Sequence, residues 1–193
     1  MAREQVRRKP SVVVKVAPKP PIEGVLLREG RAAANDPWIT LADDQSAPGD
    51  GAVIVSLKRL LAEGEALARR PGGKLGVLIA AGDSIEEAAP YLPQLALVAV
   101  DFPIWRDGRG FTTARLLRER YHFKGTVRAV GDVLQDLLFF MLRCGFDEFV
   151  LKAKDPEAAY ARAVKAFSQV YQPSTDARAP APLQRLRRAG AGR

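Results

Sequence analysis

Sulfur and imidazole are scarce in this chain: its 193 residues include one cysteine, Cys144, and one histidine, His122. These two residues cannot assemble a Cys-rich zinc site, a Cys-ligated iron–sulfur cluster or an intramolecular disulfide. A Ser-His-Asp or Cys-His hydrolase would have only His122 to use, and it stands in Tyr121-His122-Phe123 between a predicted helix and a predicted strand, an ordinary loop setting. Long apolar runs are also missing. Nothing approaches the ~18–20 uninterrupted apolar residues of a membrane helix, and Lys15 breaks Val12–Val16, so no secretory h-region is recognised. The expectation is a cytoplasmic protein without a membrane segment.

The composition, 47% hydrophobic and 27% charged, is that of a globular domain, and the length allows one core with tails. The formal charge of +8 points to nucleic acid until it is divided along the chain. Residues 1–20 carry six basic groups against Glu4, a balance of +5, and residues 173–193 carry five arginines against Asp176, a balance of +4, which leaves −1 for the rest. The expected organisation is a basic disordered arm over 1–20, a nearly neutral α/β domain over 21–172 and a basic disordered tail over 173–193. Contact of the tails with nucleic acid is a minor reading, and it would show strong salt dependence.

Within the domain, Gly24–Leu27, the turn Glu29-Gly30 and Pro37–Leu41 read as a short β segment. From Ala52 the pattern settles into apolar runs alternating with helical periodicity, as in successive βα units. The predicted strands are Ala52–Val55, Leu75–Ala80, Leu95–Val100, Thr126–Val130 and Phe146–Leu151. The predicted helices follow a cap at Ser56, a Ser84/Glu87 capping box, Phe111–Tyr121, Val133–Arg143, and a last helix capped by Asp155 with Pro156 at its first position, running to about Tyr171. About five βα units form a mainly parallel sheet, open and doubly wound, with a partial TIM-like barrel as the alternative, since a closed eight-stranded barrel needs about 200 residues or more. In either arrangement ligands bind at the carboxyl ends of the strands, which directs attention to the loops after Ala80, Val100 and Val130.

The richest of these loops runs from Asp101 to Arg115. Asp107-Gly108-Arg109-Gly110 precedes a helix, so helix N–H groups and the Arg109 guanidinium can face a common anion, with Thr112 capping or joining it. Asp101, Asp132 after Gly131, and Arg115 are expected at the same edge. This spacing is neither a GxGxxG fingerprint nor a P-loop. An alternative assigns Asp107-Gly108 to a tight turn, Arg109 to a salt bridge with Asp101 or Asp132, and Thr112 to a helix cap. Trp105 either covers a ligand or partner or folds back on the core. Leu134, Leu137, Leu138, Met141 and Leu142, widened by Phe139-Phe140, read as core, and Cys144 at that helix's C-terminal end reads as packed rather than nucleophilic.

The ordered set Asp101-Phe102-Pro103, Asp107-Gly108-Arg109-Gly110-Phe111, Ala114-Arg115-Leu116-Leu117-Arg118-Glu119-Arg120, Arg128-Ala129-Val130-Gly131-Asp132-Val133-Leu134 and Arg143-Cys144-Gly145-Phe146-Asp147 resembles a bacterial family of unknown function. Its members are commonly labelled oxidoreductases of sulfite reduction and are associated with the sulfite/nitrite reductase haemoprotein and adenylylsulfate reductase. The resemblance covers roughly Gly24–Tyr171. It implies an accessory protein or oxidoreductase subunit of assimilatory sulfite reduction, partnered by that haemoprotein or another sulfate-assimilation enzyme. Where the family is expected to read Asp-Gln-Leu, this chain has Asp136-Leu137-Leu138, so any contact made by that amide is absent. Two roles follow. One binds an oxyanion or a cofactor phosphate at Arg109, Gly110 and Thr112, with electrons carried by a flavin, a nicotinamide or the partner's group, since no Cys or His cluster is available. The other is a non-catalytic docking or assembly module that uses Arg115, Arg118 and Arg120 as anchors.

Overall fold

The fold is seen in a computed structural model, which describes residues 24–176 and 178–190; the basic arm over 1–20 lies outside the described residues. The chain opens with a hairpin of β1 (Val25–Arg28) and β2 (Arg31–Ala32). Both turn residues are left-handed, Glu29 at φ 52° and Gly30 at φ 79°, as the tightest hairpin turns require. β3 (Trp38–Thr40) then starts a parallel series continued by β4 (Ala52–Ser56), β5 (Lys74–Ile79), β6 (Leu95–Phe102), β7 (Thr126–Gly131) and β8 (Glu148–Leu151). β1 closes the far side antiparallel to β8, giving one eight-stranded sheet in the order β2-β1-β8-β7-β6-β5-β4-β3.

This order corrects the doubly wound expectation. The parallel strands lie side by side in chain order, so the sheet has no topological switch point, and right-handed crossovers then place every helix on one face. The result is a mixed α/β half-barrel, close to the partial-barrel alternative, and β3 makes six parallel strands where five were expected. Curling is forced by chain length. Laid flat, β2 and β3 would be about 34 Å apart across seven strand spacings. The six residue steps from Ala32 to Trp38 reach at most about 22 Å. The strap over residues 33–37 therefore crosses the hollow of a curled sheet.

Side-chain alternation divides two cores. Val53, Val55, Val77, Val98, Phe102 and Phe149 face the helices in the main core, while Ile54, Leu97, Ala99, Val130 and Val150 fill the hollow beneath Trp38 and Leu26. The continuous apolar run of β6 is thus buried on both faces, as its sequence indicates.

On the helical face, α1 (Leu57–Ala68) is capped by Ser56, which accepts a hydrogen bond from the Arg59 N–H at 3.1 Å. α2 (Ile85–Ala88) runs into a 3-10 segment, Ala89–Gln94. Here the expected capping box is not formed, because Ser84 bonds to Glu86 instead. α3 (Arg109–Arg115) continues as a π turn, Leu116–Arg120. The helix expected from Val133 starts later, as a 3-10 turn at Gln135–Leu137 leading into α4 (Leu138–Arg143). Leu134 is extended, and the Lys152 N–H donates to the Val133 carbonyl at 3.4 Å, tying the segment to the end of β8. α5 (Pro156–Lys165) has the anticipated Asp155 cap and Pro at its start but stops six residues before Tyr171. Beyond Pro173 the chain folds back on α4. Ser174 and Thr175 donate to the Arg143 carbonyl, Asp176 pairs with Arg143 at 3.1 Å, and α6 (Ala181–Gly190) follows. No helix among the described residues is long and apolar enough to cross a membrane.

Candidate functional site

The carboxyl ends of β6 and β7 do meet, through backbone geometry. Gly131 has φ 95°, and a Cβ there would lie 2.4 Å from the Phe102 carbonyl oxygen and 2.6 Å from Asp101 Oδ1. The Asp132 N–H donates to the Phe102 carbonyl at 2.7 Å, and Asp132 Oδ2 accepts the Trp105 N–H at 3.0 Å. Asp101, Gly131 and Asp132 therefore form one edge, and Asp132 fixes the start of the loop that follows β6.

Arg109 does not turn towards that edge. Its guanidinium grips Asp107 through two bonds, Nε to Oδ1 at 2.9 Å and Nη2 to Oδ2 at 2.6 Å, and its own N–H adds a third at 3.2 Å. The Arg109 guanidinium beside it lowers the Asp107 carboxyl from 3.8 to about 2. Gly108 holds the cap position at φ −78°, where nothing demands glycine. Gly110 is needed for packing, since a Cβ there would meet the Phe102 ring at 2.6 Å. Thr112 is exposed on the helix rather than capping it. Arg115 pairs with both oxygens of Glu119 at 3.0 Å, further along the same helix. Arg109 and Arg115 are thus each paired with a carboxylate close by in the chain.

The three arginines expected as docking anchors are also engaged within the chain. Arg118 donates to the carbonyls of Gly145 and Gly125, both at 3.0 Å, and pairs with Asp147, stapling the π turn to the strand starts. Arg120 lies 3.9 Å from Glu86. What the loop does present is apolar: Ile104 and Trp105 are half exposed at the carboxyl edge. His122 lies at the opposite end, left-handed at φ 50°, lining a pocket of about 420 Å³ with Leu92, Leu95 and Lys124. Burial pushes the Cys144 thiol up, in keeping with a packed cysteine.

Beside the edge, the loops after β7 and β8 enclose an open groove of about 950 Å³, lined by Leu134, Gln135, Lys152, Lys154, Asp155 and Arg162 among others. Its charges are mixed, and Asp155 already caps α5.

The most elaborate polar constellation was not anticipated. On the floor of the hollow, Arg128 of β7 is 3% exposed and Glu148 of β8 is 5% exposed. Arg128 donates from Nε to Glu148 Oε2 at 2.8 Å, and Arg28 donates from Nε to Glu148 Oε1 at 2.6 Å. The remaining edge of the Arg128 guanidinium is taken by Asp36 of the strap, at 2.6 and 3.0 Å. A signal was present: Arg128 interrupts the apolar strand Thr126–Val130, and Glu148 opens another, which is unusual unless the two charges are paired.

Residues 76–182 match a family described as bacterial protein of unknown function, DUF934. The match covers more than half of the chain, which belongs to that family. Among the curated proteins none matches.

Proposed function

We propose that this DUF934 protein is an accessory subunit of assimilatory sulfite reduction that docks through the loop after β6 on the sulfite/nitrite reductase haemoprotein. The observation that carries the reading is the presentation of Trp105. Its backbone is held by Asp132 and Arg109, four residues on, is gripped by Asp107, while Ile104 and the indole stand half exposed. An aromatic anchor on a pre-ordered loop with cationic neighbours is the usual composition of an interface hot spot, and little ordering entropy remains to be lost on binding. The pathway comes from the family resemblance. With one cysteine and one histidine, the chain supplies no ligand set for an iron–sulfur cluster, so the electrons of the reduction belong to the partner's group or to a flavin or nicotinamide. The Arg109–Asp107 pair makes docking the stronger reading than oxyanion capture at this loop.

The test is the affinity of the full chain for the purified haemoprotein from the same cells, measured by biolayer interferometry. Trp105→Ala is expected to weaken binding by about 30-fold, the equivalent of roughly 2 kcal/mol. Failure of the wild-type chain to bind, or unchanged binding by the variant, overturns the proposal.

A further inference from the structure

We propose that the hollow of the half-barrel is a small-oxyanion site built on Arg128, and that the Asp36 carboxylate of the strap occupies it as a displaceable stand-in. The inference uses no residue of the docking loop and stands or falls without it.

The sheet floor itself holds two guanidiniums, Arg28 and Arg128, and one carboxylate, Glu148, which already serves both. An excess positive charge is thus left at a guanidinium only 3% exposed. A buried, uncompensated charge is costly, and the compensating group has to be an anion that meets the free planar edge of the guanidinium. That group is Asp36, and its geometry is the fork-to-fork pairing by which arginine recognises carboxylate, phosphate or sulfate.

Asp36 differs from Glu148 in how it is held. Glu148 sits in a strand paired on both sides, with its side chain 6% exposed, whereas Asp36 lies on a five-residue strap between β2 and β3 and its side chain is 35% exposed. It also accepts the Trp38 N–H at the start of β3, at 3.3 Å. Arg128 is therefore reached from solvent through Asp36. Ala99, its register partner on β6, is small, so the floor on that side of the guanidinium is low. The ligand class follows: a compact, multiply charged oxyanion such as sulfate, sulfite or phosphate, large enough to replace a carboxylate and small enough to lie beneath the strap.

The test uses Asp36→Asn, which keeps the shape of the strap and removes the competing charge. Isothermal titration with sodium sulfate, sulfite and phosphate, against sodium chloride at matched ionic strength, is expected to show at least one oxyanion binding tenfold or more tightly to the variant than to wild type. Asp36→Asn/Arg128→Gln is charge-balanced, because Arg28 and Glu148 remain paired, and it is expected to lose the gain. If Asp36→Asn is unfolded in chloride, the proposal requires that one of these oxyanions restore its circular-dichroism spectrum. In wild type, the Arg128 side-chain Nε–H resonance is expected to shift on titration with the same anion. No oxyanion-specific binding or refolding by Asp36→Asn, or equal binding after loss of Arg128, overturns the proposal and leaves the cluster a fastening for the strap alone.

Discussion

Removing Glu148 measures how strongly the hollow depends on its charge cluster. In Glu148→Ala, Arg128 loses the partner that accepts from Nε at 2.8 Å, and Arg28 loses the one at 2.6 Å. Arg28 is the lesser problem, since its side chain is 43% exposed and water can replace the carboxylate. Arg128 has no such recourse at 3% exposure and keeps only Asp36. Breaking a buried ion pair from one side typically costs about 3–5 kcal/mol, against a total stability of roughly 5–15 kcal/mol for a domain. With a urea slope of about 2 kcal/mol/M, the midpoint at pH 7 is expected to fall by about 1.5–2.5 M. The double variant Arg128→Met/Glu148→Leu removes both buried charges and leaves Arg28 and Asp36 free to solvate. It is expected to recover at least about 2 kcal/mol relative to the sum of the single changes. A Glu148→Ala loss below about 1 kcal/mol, or additivity of the two single changes, would refute the reasoning and mean that the hollow is effectively wet.

Two further outcomes follow from the strand edge. Gly131→Ala places a Cβ 2.4 Å from the Phe102 carbonyl at φ 95°, so backbone must shift. The expected cost is about 2–3 kcal/mol, read as a fall of roughly 4–12 °C in melting temperature; an unchanged melt would mean that β6 and β7 separate there freely. Asp107, at about 2, is lowered below its ordinary value by Arg109, so the pair's contribution is complete above the ordinary value of 3.8 and fades as pH falls from there through about 2. A carboxyl-carbon NMR titration should give a midpoint near 2 in wild type and the ordinary carboxylate range in Arg109→Ala, and equal midpoints would dissolve the ion pair.

What the sequence conveyed well was whatever depends on neighbours in the chain. Ser56, and Asp155 with Pro156, cap the helices they were expected to cap, because a cap needs only the next three residues. The positions of the five strands predicted from Ala52 onward were equally legible from their apolar runs. Long-range competition decided the failures. Trp38–Thr40 was legible as part of a β segment, but not its place as a parallel edge strand on β4. The helix expected at Val133 yields to the tie between Val133 and Lys152, nineteen residues away. Arg109 pairs with Asp107, which had been assigned to a tight turn, and closing so short a loop costs little entropy. The hollow was the hardest to see. Asp36 and Arg128 are 92 residues apart and meet only because the sheet curls.

That curl links the protein's two polar features to one topological fact. A parallel sheet wound in one direction covers only its outer face with helices, so its inner face needs another cover. A full barrel would use its own strands. Here the cover is a strap of five residues, 33–37, to which the sequence Ala-Ala-Asn-Asp-Pro lends little apolar surface. Hydrophobic burial alone cannot hold so polar a segment down, and Trp38, lying over Gly76, anchors only its end. The Asp36–Arg128 pair supplies the remaining attachment, and in doing so places a partly exposed carboxylate over the most buried guanidinium among the described residues. The strand-end loop with Trp105 is fastened separately, through Asp132 to the edge of β7. Docking and anion capture can therefore vary independently, and a variant that abolishes one is expected to leave the other measurable in the same folded protein.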